Sequence, residues 1–320
     1  MRAKVRVTMA FDDSAREQYK HLEQVARRRG ISEEKLVQGF ELEREFHLRI
    51  VGEKDPTVRE HLYYEQYERI YPLYKITGSS ETGIDIQSKA ELVNLFRNEL
   101  RGKSILDVGC GNGQFLNSVD ANLEHGKLVG IDISPLILPE KRNNVTFMQG
   151  NVINFSLDDK FDVVFSDNVI EHIALPDLPV HLQSVKNALV QGGTLIIISP
   201  NRLFGPHDGT KIIDATYTNQ IEAVGSHLHE TTYTELISIL KEHGFSSFKT
   251  IIPLAGFSPS FKTIIPLAGV SHYFPNTRIS LRFVQAIENH KYLLNAIYKF
   301  KILSMLLSWL QIVLLCTYSN

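Results

Sequence analysis

Ser104-Ile105-Leu106-Asp107-Val108-Gly109-Cys110-Gly111-Asn112-Gly113-Gln114-Phe115 is the stretch on which the fold turns. A short apolar run enters a turn with glycine at 109, 111 and 113, and a helix start follows at Gln114. Glycine has no Cβ and accepts φ > 0, so such a turn lets the main chain approach a ligand closely. The helix behind it begins with N–H groups that lack intrahelical partners and carries a positive dipole end. The reading is therefore a buried strand, a small-molecule cradle and a helix. A dinucleotide cradle wants G-x-G-x-x-G. Its third glycine would stand at 114, where this chain has Gln114. That weighs against a nicotinamide dehydrogenase.

With Asp107 just ahead of the first glycine, the stretch resembles the first motif of the class I S-adenosylmethionine-dependent methyltransferases, an acidic residue followed by G-x-G-x-G. The resemblance implies that Asp107, Gly109, Cys110, Gly111 and Gly113 bind the cofactor, S-adenosyl-L-methionine. The next apolar run, Lys127 to Asp132, ends in a carboxylate. A carboxylate at a strand tip can accept both ribose hydroxyls of a nucleoside. Ile133 would lie against the adenine. Val145 to Gln149 reads as a third strand, followed by Gly150-Asn151-Val152. The family usually has an acid at the position of Asn151, accepting from the adenine amino group; an amide oxygen can accept as well. Asn151, Val152 and Asn168 complete the expected cofactor set.

Phe161-Asp162-Val163-Val164 leading into Ile170-Glu171-His172 resembles the family's "F-D-x-V … L-E-H" signature, common among members acting on small molecules. Gly193 to Ser199 reads as strand five, with Gln191-Gly192-Gly193 where the family usually has P-G-G. These runs are continuously apolar, as parallel strands covered on both faces are. The uncharged stretch from Ile302 to Tyr318 falls short of the roughly twenty residues of a membrane span. It reads as a helix end and then a strand over Gln311 to Tyr318, antiparallel and slotted between strands five and six. The alternative is a membrane-surface helix, which would suit a lipid or quinone substrate. The expected fold is α/β, a Rossmann-like doubly wound seven-stranded sheet with an antiparallel last strand and an N-terminal helical extension.

The chain has 320 residues, 43% of them hydrophobic, and a net charge of −2. It can bury a large core, and its charge gives no general affinity for nucleic acid. Cys110 and Cys316 make no disulfide framework, and no secretory signal opens the sequence, so a cytoplasmic protein is expected. Three parts are expected: a helical extension or lid over 1–100, the cofactor half over 101–200 and the acceptor side over 201–320. In the extension, Asp13 or Ser14 is a candidate first cap, Arg27-Arg28-Arg29-Gly30 a helix end, and Ser32 a second cap. Tyr63, Tyr64, Tyr67, Tyr71 and Tyr74 read either as packing against the core or as an aromatic lid. Ser247 to Gly256 repeats as Ser260 to Gly269, and only one copy can be strand six.

Two further blocks, Pro200-Asn201-Arg202-Leu203-Phe204-Gly205-Pro206-His207-Asp208 and His227-Leu228-His229-Glu230-Thr231-Thr232, resemble blocks of one bacterial branch of the superfamily. That branch also carries an N-terminal helical extension. Methyl transfer is an in-line displacement in which the protein mainly aligns donor and acceptor and excludes water. A base helps where the acceptor atom carries a proton. His172 is the first candidate, then His207 and His227, with Tyr233 to orient the acceptor. The competing reading for His172 is a helix anchor. For His207 it is a Gly-Pro-His-Asp turn. Asp167-Asn168 lacks a convincing third ligand for a catechol-type metal, so no metal is expected. The expected activity is transfer of a methyl group to O, N or C of a small-molecule acceptor. The alternative is an inert methyltransferase-like module that binds cofactor or a partner, favoured only by Asn151 and Gln191.

Overall fold

The computed structural model describes residues 17–75, 86–133, 144–218, 220–250, 281–299 and 312–318. Its centre is a sheet ordered β3-β2-β1-β4-β5-β7-β6. The strands are β1 (Ile105–Val108), β2 (Leu128–Asp132), β3 (Val145–Gln149), β4 (Phe161–Asp167), β5 (Leu189–Ser199), β6 (Phe245–Thr250) and β7 (Ile312–Tyr318). β1 to β5 pair in parallel, whereas β7 runs antiparallel between β5 and β6, with Leu195 opposite Cys316 and Ile197 opposite Leu314. The strand expected from the uncharged stretch is thus observed, sealing the sheet from within. The helical part of that reading, 302–311, lies outside the described residues.

Apolar runs are continuous because both faces are covered. Successive side chains of β1 and β5 enter opposite cores: Leu106, Val108, Leu195 and Ile197 one, Ile105, Ile196 and Ile198 the other. α5 (Gln114–Asn122) packs Phe115, Leu116 and Val119 into the second, where the Phe115 ring stacks on Phe165 at 3.7 Å. α6 (Leu178–Ala188) packs Leu182 and Val185 into the first.

The extension contributes α1 (Leu22–Arg29), α2 (Glu33–Gly52), α3 (Pro56–Lys75) and α4 (Ile86–Leu95). Gly30 ends α1 at φ 69°, and the Ser32 hydroxyl accepts from Lys35 N–H at the start of α2. The cap expected at Asp13 or Ser14 lies outside the described residues. Phe46, Ile50, Leu62 and Tyr63 join the first core, and Leu92, Val93 and Phe96 of the α4 region join the second. A buried ion pair pins α3 to the loop before α6: Arg59 donates to both oxygens of Asp177, at 2.9 and 2.5 Å. Tyr63 donates to Asp177 at 3.0 Å and accepts from Ala174 N–H at 2.9 Å. Tyr64 and Tyr67 pack on the same core, while the side chains of Tyr71 and Tyr74 lie outside the described set. β6 uses the opening of the first copy of the duplication; the second copy lies outside the described residues. α7 (Tyr233–Glu242), α8 (Leu281–Asn289) and α9 (Lys291–Lys299) follow in the C-terminal part.

Candidate functional site

The turn after β1 has the backbone its glycines were read for. Gly109, Gly111 and Gly113 sit at φ 75°, 53° and 73°. At Gly109 a Cβ would also stand 2.4 Å from Val169 Cγ2, so space as well as conformation demands glycine. The N–H groups of Gly109 and Cys110 both donate to Ile131 O, at 2.8 and 3.1 Å, tying the turn to β2. β2 can lie so close because it carries Gly130, where a Cβ would meet Cys110 Sγ at 2.8 Å. The Cys110 thiol is buried, and burial pushes its pKa up. It is packing material in this turn.

Asp132, at the end of β2, is buried and accepts from Gly111 N–H at 2.9 Å. The acid expected to grip a sugar and the turn expected to hold an amino-acid tail are therefore in direct contact. Ile133 follows, buried. The Asn151 amide oxygen accepts from Ile153 N–H at 2.8 Å, closing a local turn, and its second lone pair remains an acceptor direction. Val152 O accepts from His181 Nδ1–H at 2.7 Å. Asn168 adopts φ 55° and donates from its side chain to Asp167 at 2.8 Å.

Asp107 is buried on β1. Burial foremost pushes its carboxyl up to about 8; Asp167 and Asp132 push the same way and Lys89 opposes them. The Lys89 ammonium, from α4, donates to Asp167 at 2.5 Å. Three carboxylates and one ammonium thus share the mouth of the turn. Lys89 has no signal in the sequence, because a lysine in an amphipathic helix reads as a solvated face.

A second polar cluster adjoins the first. The backbone N–H groups of Leu228 and His229 donate to Glu171 O, which lays the His227–Glu230 block against the segment after β4. The side chains meet accordingly. His172 Nδ1–H donates to Ser226 O at 2.9 Å, and its ring stands edge-to-face on His227 with centroids 4.9 Å apart. Burial pushes His172 down to about 3, so the ring is neutral near pH 7. His207 and His227 share Glu230: Nδ1 of His207 bonds one oxygen at 3.0 Å and Nδ1 of His227 the other at 2.7 Å. Burial opposes charge on His227, but Glu230, Asp208 and Glu171 outweigh it and raise the imidazolium to about 9. Burial lowers His207 against its bond to Glu230. Gly205 permits the approach, since a Cβ there would meet Glu230 Oε2 at 2.5 Å. Tyr67 is half-buried, and burial, then the charges of Asp132, Glu171 and Glu43, raise its hydroxyl.

The fold thus brings together His172, His207 and His227 from three separate stretches. Tyr233 is placed elsewhere. Its buried hydroxyl bonds Thr250 at 3.0 Å and accepts from Val313 N–H at 3.0 Å. That hydroxyl serves β6 and β7.

A seven-stranded sheet in this order, with antiparallel β7 and a three-glycine turn facing an acid at the end of β2, defines the class I methyltransferase fold. Residues 99–244 match a family model described as a methyltransferase domain. That segment, a little under half of the chain, is similar to the S-adenosylmethionine-dependent methyltransferases. The ubiquinone biosynthesis O-methyltransferase of Coxiella burnetii is 30% identical over 138 residues, covering 40% of this chain and 56% of that protein. The malonyl-[acyl-carrier protein] O-methyltransferase of a Paenibacillus species is 26% identical over 190 residues, covering 53% and 67%. The chain spans a little over half the length of the first of these curated relatives. Among solved structures, an S-adenosylmethionine-dependent methyltransferase of Thermotoga maritima superposes with a TM-score of 0.48 at 16% identity, covering 79% of this chain and 98% of that one.

Proposed function

We propose that this chain moves the methyl group of S-adenosylmethionine to an oxygen of a small-molecule acceptor. The observation that carries the reading is the contact of Asp132 with Gly111 N–H inside a turn of three left-handed glycines. In this reading Asp132 takes the ribose hydroxyls, while Ile133, Asn151 and Val152 take the adenine side. Gly109, Cys110, Gly111 and Gly113 line the turn beneath the methionine tail, with Asn168 beside them. That tail carries an ammonium and a carboxylate. Asp107 and Asp167 complement the first, and Lys89 the second. The curated relatives favour oxygen as the acceptor atom, since two of them are named as O-methyltransferases.

The bound cofactor supplies an activated methyl group, and the chain's own work is alignment and exclusion of water. His172 is neutral, so its ring can receive a proton from an acceptor hydroxyl; its low basicity makes that contribution small unless the acceptor is itself acidic. In this reading the helical extension acts as the cover of the acceptor side, with Tyr67 under the charges of Asp132 and Glu171, and the C-terminal part of the chain supplies the rest of that side. A cytoplasmic setting fits Cys110 and Cys316, both buried and free. Among the described residues no helix is long and apolar enough to cross a membrane.

The test is incubation of the protein with methyl-labelled S-adenosylmethionine and a small-molecule extract. Label in a low-mass product, absent when the Asp132→Ala variant is used, supports the reading. Cofactor binding by calorimetry with no labelled product in any extract would favour the inert module instead.

A further inference from the structure

Glu171, His172 and His227 each offer a ligand atom, and these atoms lie within 4.8 Å of one another. Glu171 is fully buried, and its Oε1 has no hydrogen-bond partner. An unpartnered carboxylate oxygen in a closed interior is costly; the His227 imidazolium beside Glu171 relieves part of that cost, and a divalent cation would relieve more. We propose that these three residues hold a divalent metal ion of the zinc type.

The surrounding bonds are those such a site requires. A ligating imidazole keeps one nitrogen for the metal and donates from the other to a carboxylate or carbonyl, which fixes ring and tautomer. His172 donates from Nδ1 to Ser226 O, and His227 donates from Nδ1 to Glu230 Oε1. Each ring thus has Nε2 left for the ion, His172 as a neutral acceptor and His227 by releasing its Nε2 proton as the metal binds. Ser199 Oγ donates to Glu171 Oε2 at 3.2 Å, which orients the carboxylate with Oε1 left over. Glu230 is itself held by His207 N–H at 2.8 Å. Two imidazoles and one carboxylate suit zinc and its transition-metal neighbours better than magnesium or calcium, which prefer all-oxygen shells. A tetrahedral shell with bonds of about 2.1 Å sets its donors roughly 3.4 Å apart, so the side chains close inward by about 1 Å as the ion enters. Three protein ligands leave a fourth position open, the arrangement of a reactive site rather than a purely structural one.

The donors differ from a catechol-type cluster. Asp167 is already taken by Lys89, and Asn168 bonds Asp167. The third ligand comes instead from the segment of His227, laid against Glu171 by main-chain bonds. Resting on the methyl-transfer reading, the open position takes an oxygen of the acceptor, a hydroxyl that the ion helps to ionise. The ion would take over activation of that hydroxyl, because a His172 ring bound through Nε2 has no nitrogen left to receive its proton.

The experiment uses the full chain, stripped with a chelator, dialysed and titrated with Co²⁺ and then Zn²⁺. The expected result is one ion per chain at micromolar affinity or tighter, with the visible bands of a four- or five-coordinate cobalt site that Zn²⁺ bleaches. His227→Gln and Glu171→Gln should each weaken binding at least about 100-fold, and Glu230→Gln about 10- to 100-fold through the ring it holds. His61→Ala, on an exposed residue of α3, should change nothing. Should a variant fail to fold by circular dichroism, the wild-type cobalt spectrum and stoichiometry decide alone. Octahedral cobalt, or zinc binding unaltered in a folded His227→Gln, would overturn the site. S-adenosylmethionine affinity is measured on the metal-free protein, so loss of the metal reading leaves the methyl-transfer reading standing, and the reverse.

Discussion

Replacing Asp132 by alanine separates a cofactor grip from a merely structural acid. The carboxylate is 6% exposed and already aimed at the glycine turn, 2.9 Å from Gly111 N. Hydrogen bonds to a charged acceptor contribute about 1.5 kcal/mol or more each. Two ribose hydroxyls therefore account for about 3 kcal/mol. At 1.4 kcal/mol per decade, the dissociation constant for S-adenosylmethionine should rise on the order of 100-fold. One effect runs the other way: the charge of Asp132 holds the Asp107 carboxyl up, so its removal lets Asp107 ionise more readily toward the cofactor ammonium. Asp132→Ala also strips Gly111 N–H of its acceptor, at a cost of about 1–3 kcal/mol in stability. Thermal unfolding must accordingly be followed beside isothermal calorimetry, and Asp132→Asn, which keeps an acceptor oxygen, should fall between. A folded Asp132→Ala protein that binds the cofactor within about threefold of wild type would refute the assignment of this pocket.

Gly109→Ala should abolish cofactor binding, because the new Cβ meets Val169 at 2.4 Å and the backbone stays at φ 75°; calorimetry together with a melt distinguishes lost binding from lost fold. Cofactor affinity should depend on pH in a bell. Asp107 sits at about 8, so affinity rises from pH 6 toward 8 as it ionises, then falls as the cofactor's own α-ammonium, with a pKa of about 8, loses its proton. A flat calorimetric profile over that range would contradict it. In the cofactor-free protein the same raised carboxyl makes folding take up a proton, so its contribution to stability declines from about pH 4 to about pH 8, readable by urea titration. Arg59→Met should destabilise by about 3–5 kcal/mol, since it leaves Asp177 buried without its partner; unfolding by urea measures this, and a loss under 1 kcal/mol would show the extension is not pinned there.

Local chemistry was enough for much of the scaffold. Three glycines at alternate positions, a strand ending in Asp132 and a run of buried strands carry their conformation in residue type, because φ preference and apolar continuity are properties of neighbours in the chain. Ser32 and Gly30 were legible for the same reason, as caps act within one turn. Side-chain partners were less so. Tyr233 has the look of a polar group near a ligand, yet its hydroxyl is used between β6 and β7, a contact that exists only once the antiparallel strand is in place. Asn151 could be assigned a ligand from its position, but its turn with Ile153 appears only in three dimensions.

The sequence by itself determined the order of the elements, the left-handed turn and the acid that faces it, since each depends on short-range backbone preference or on a hydrophobic run long enough to be buried. Only the tertiary structure decided which charges meet. Lys89 reaches Asp167 from a helix before the sheet, and His227 reaches Glu171 and His172 because main-chain bonds dock one loop on another. Charge interactions depend on distance and burial, and neither quantity is written along a chain until its faces close on each other.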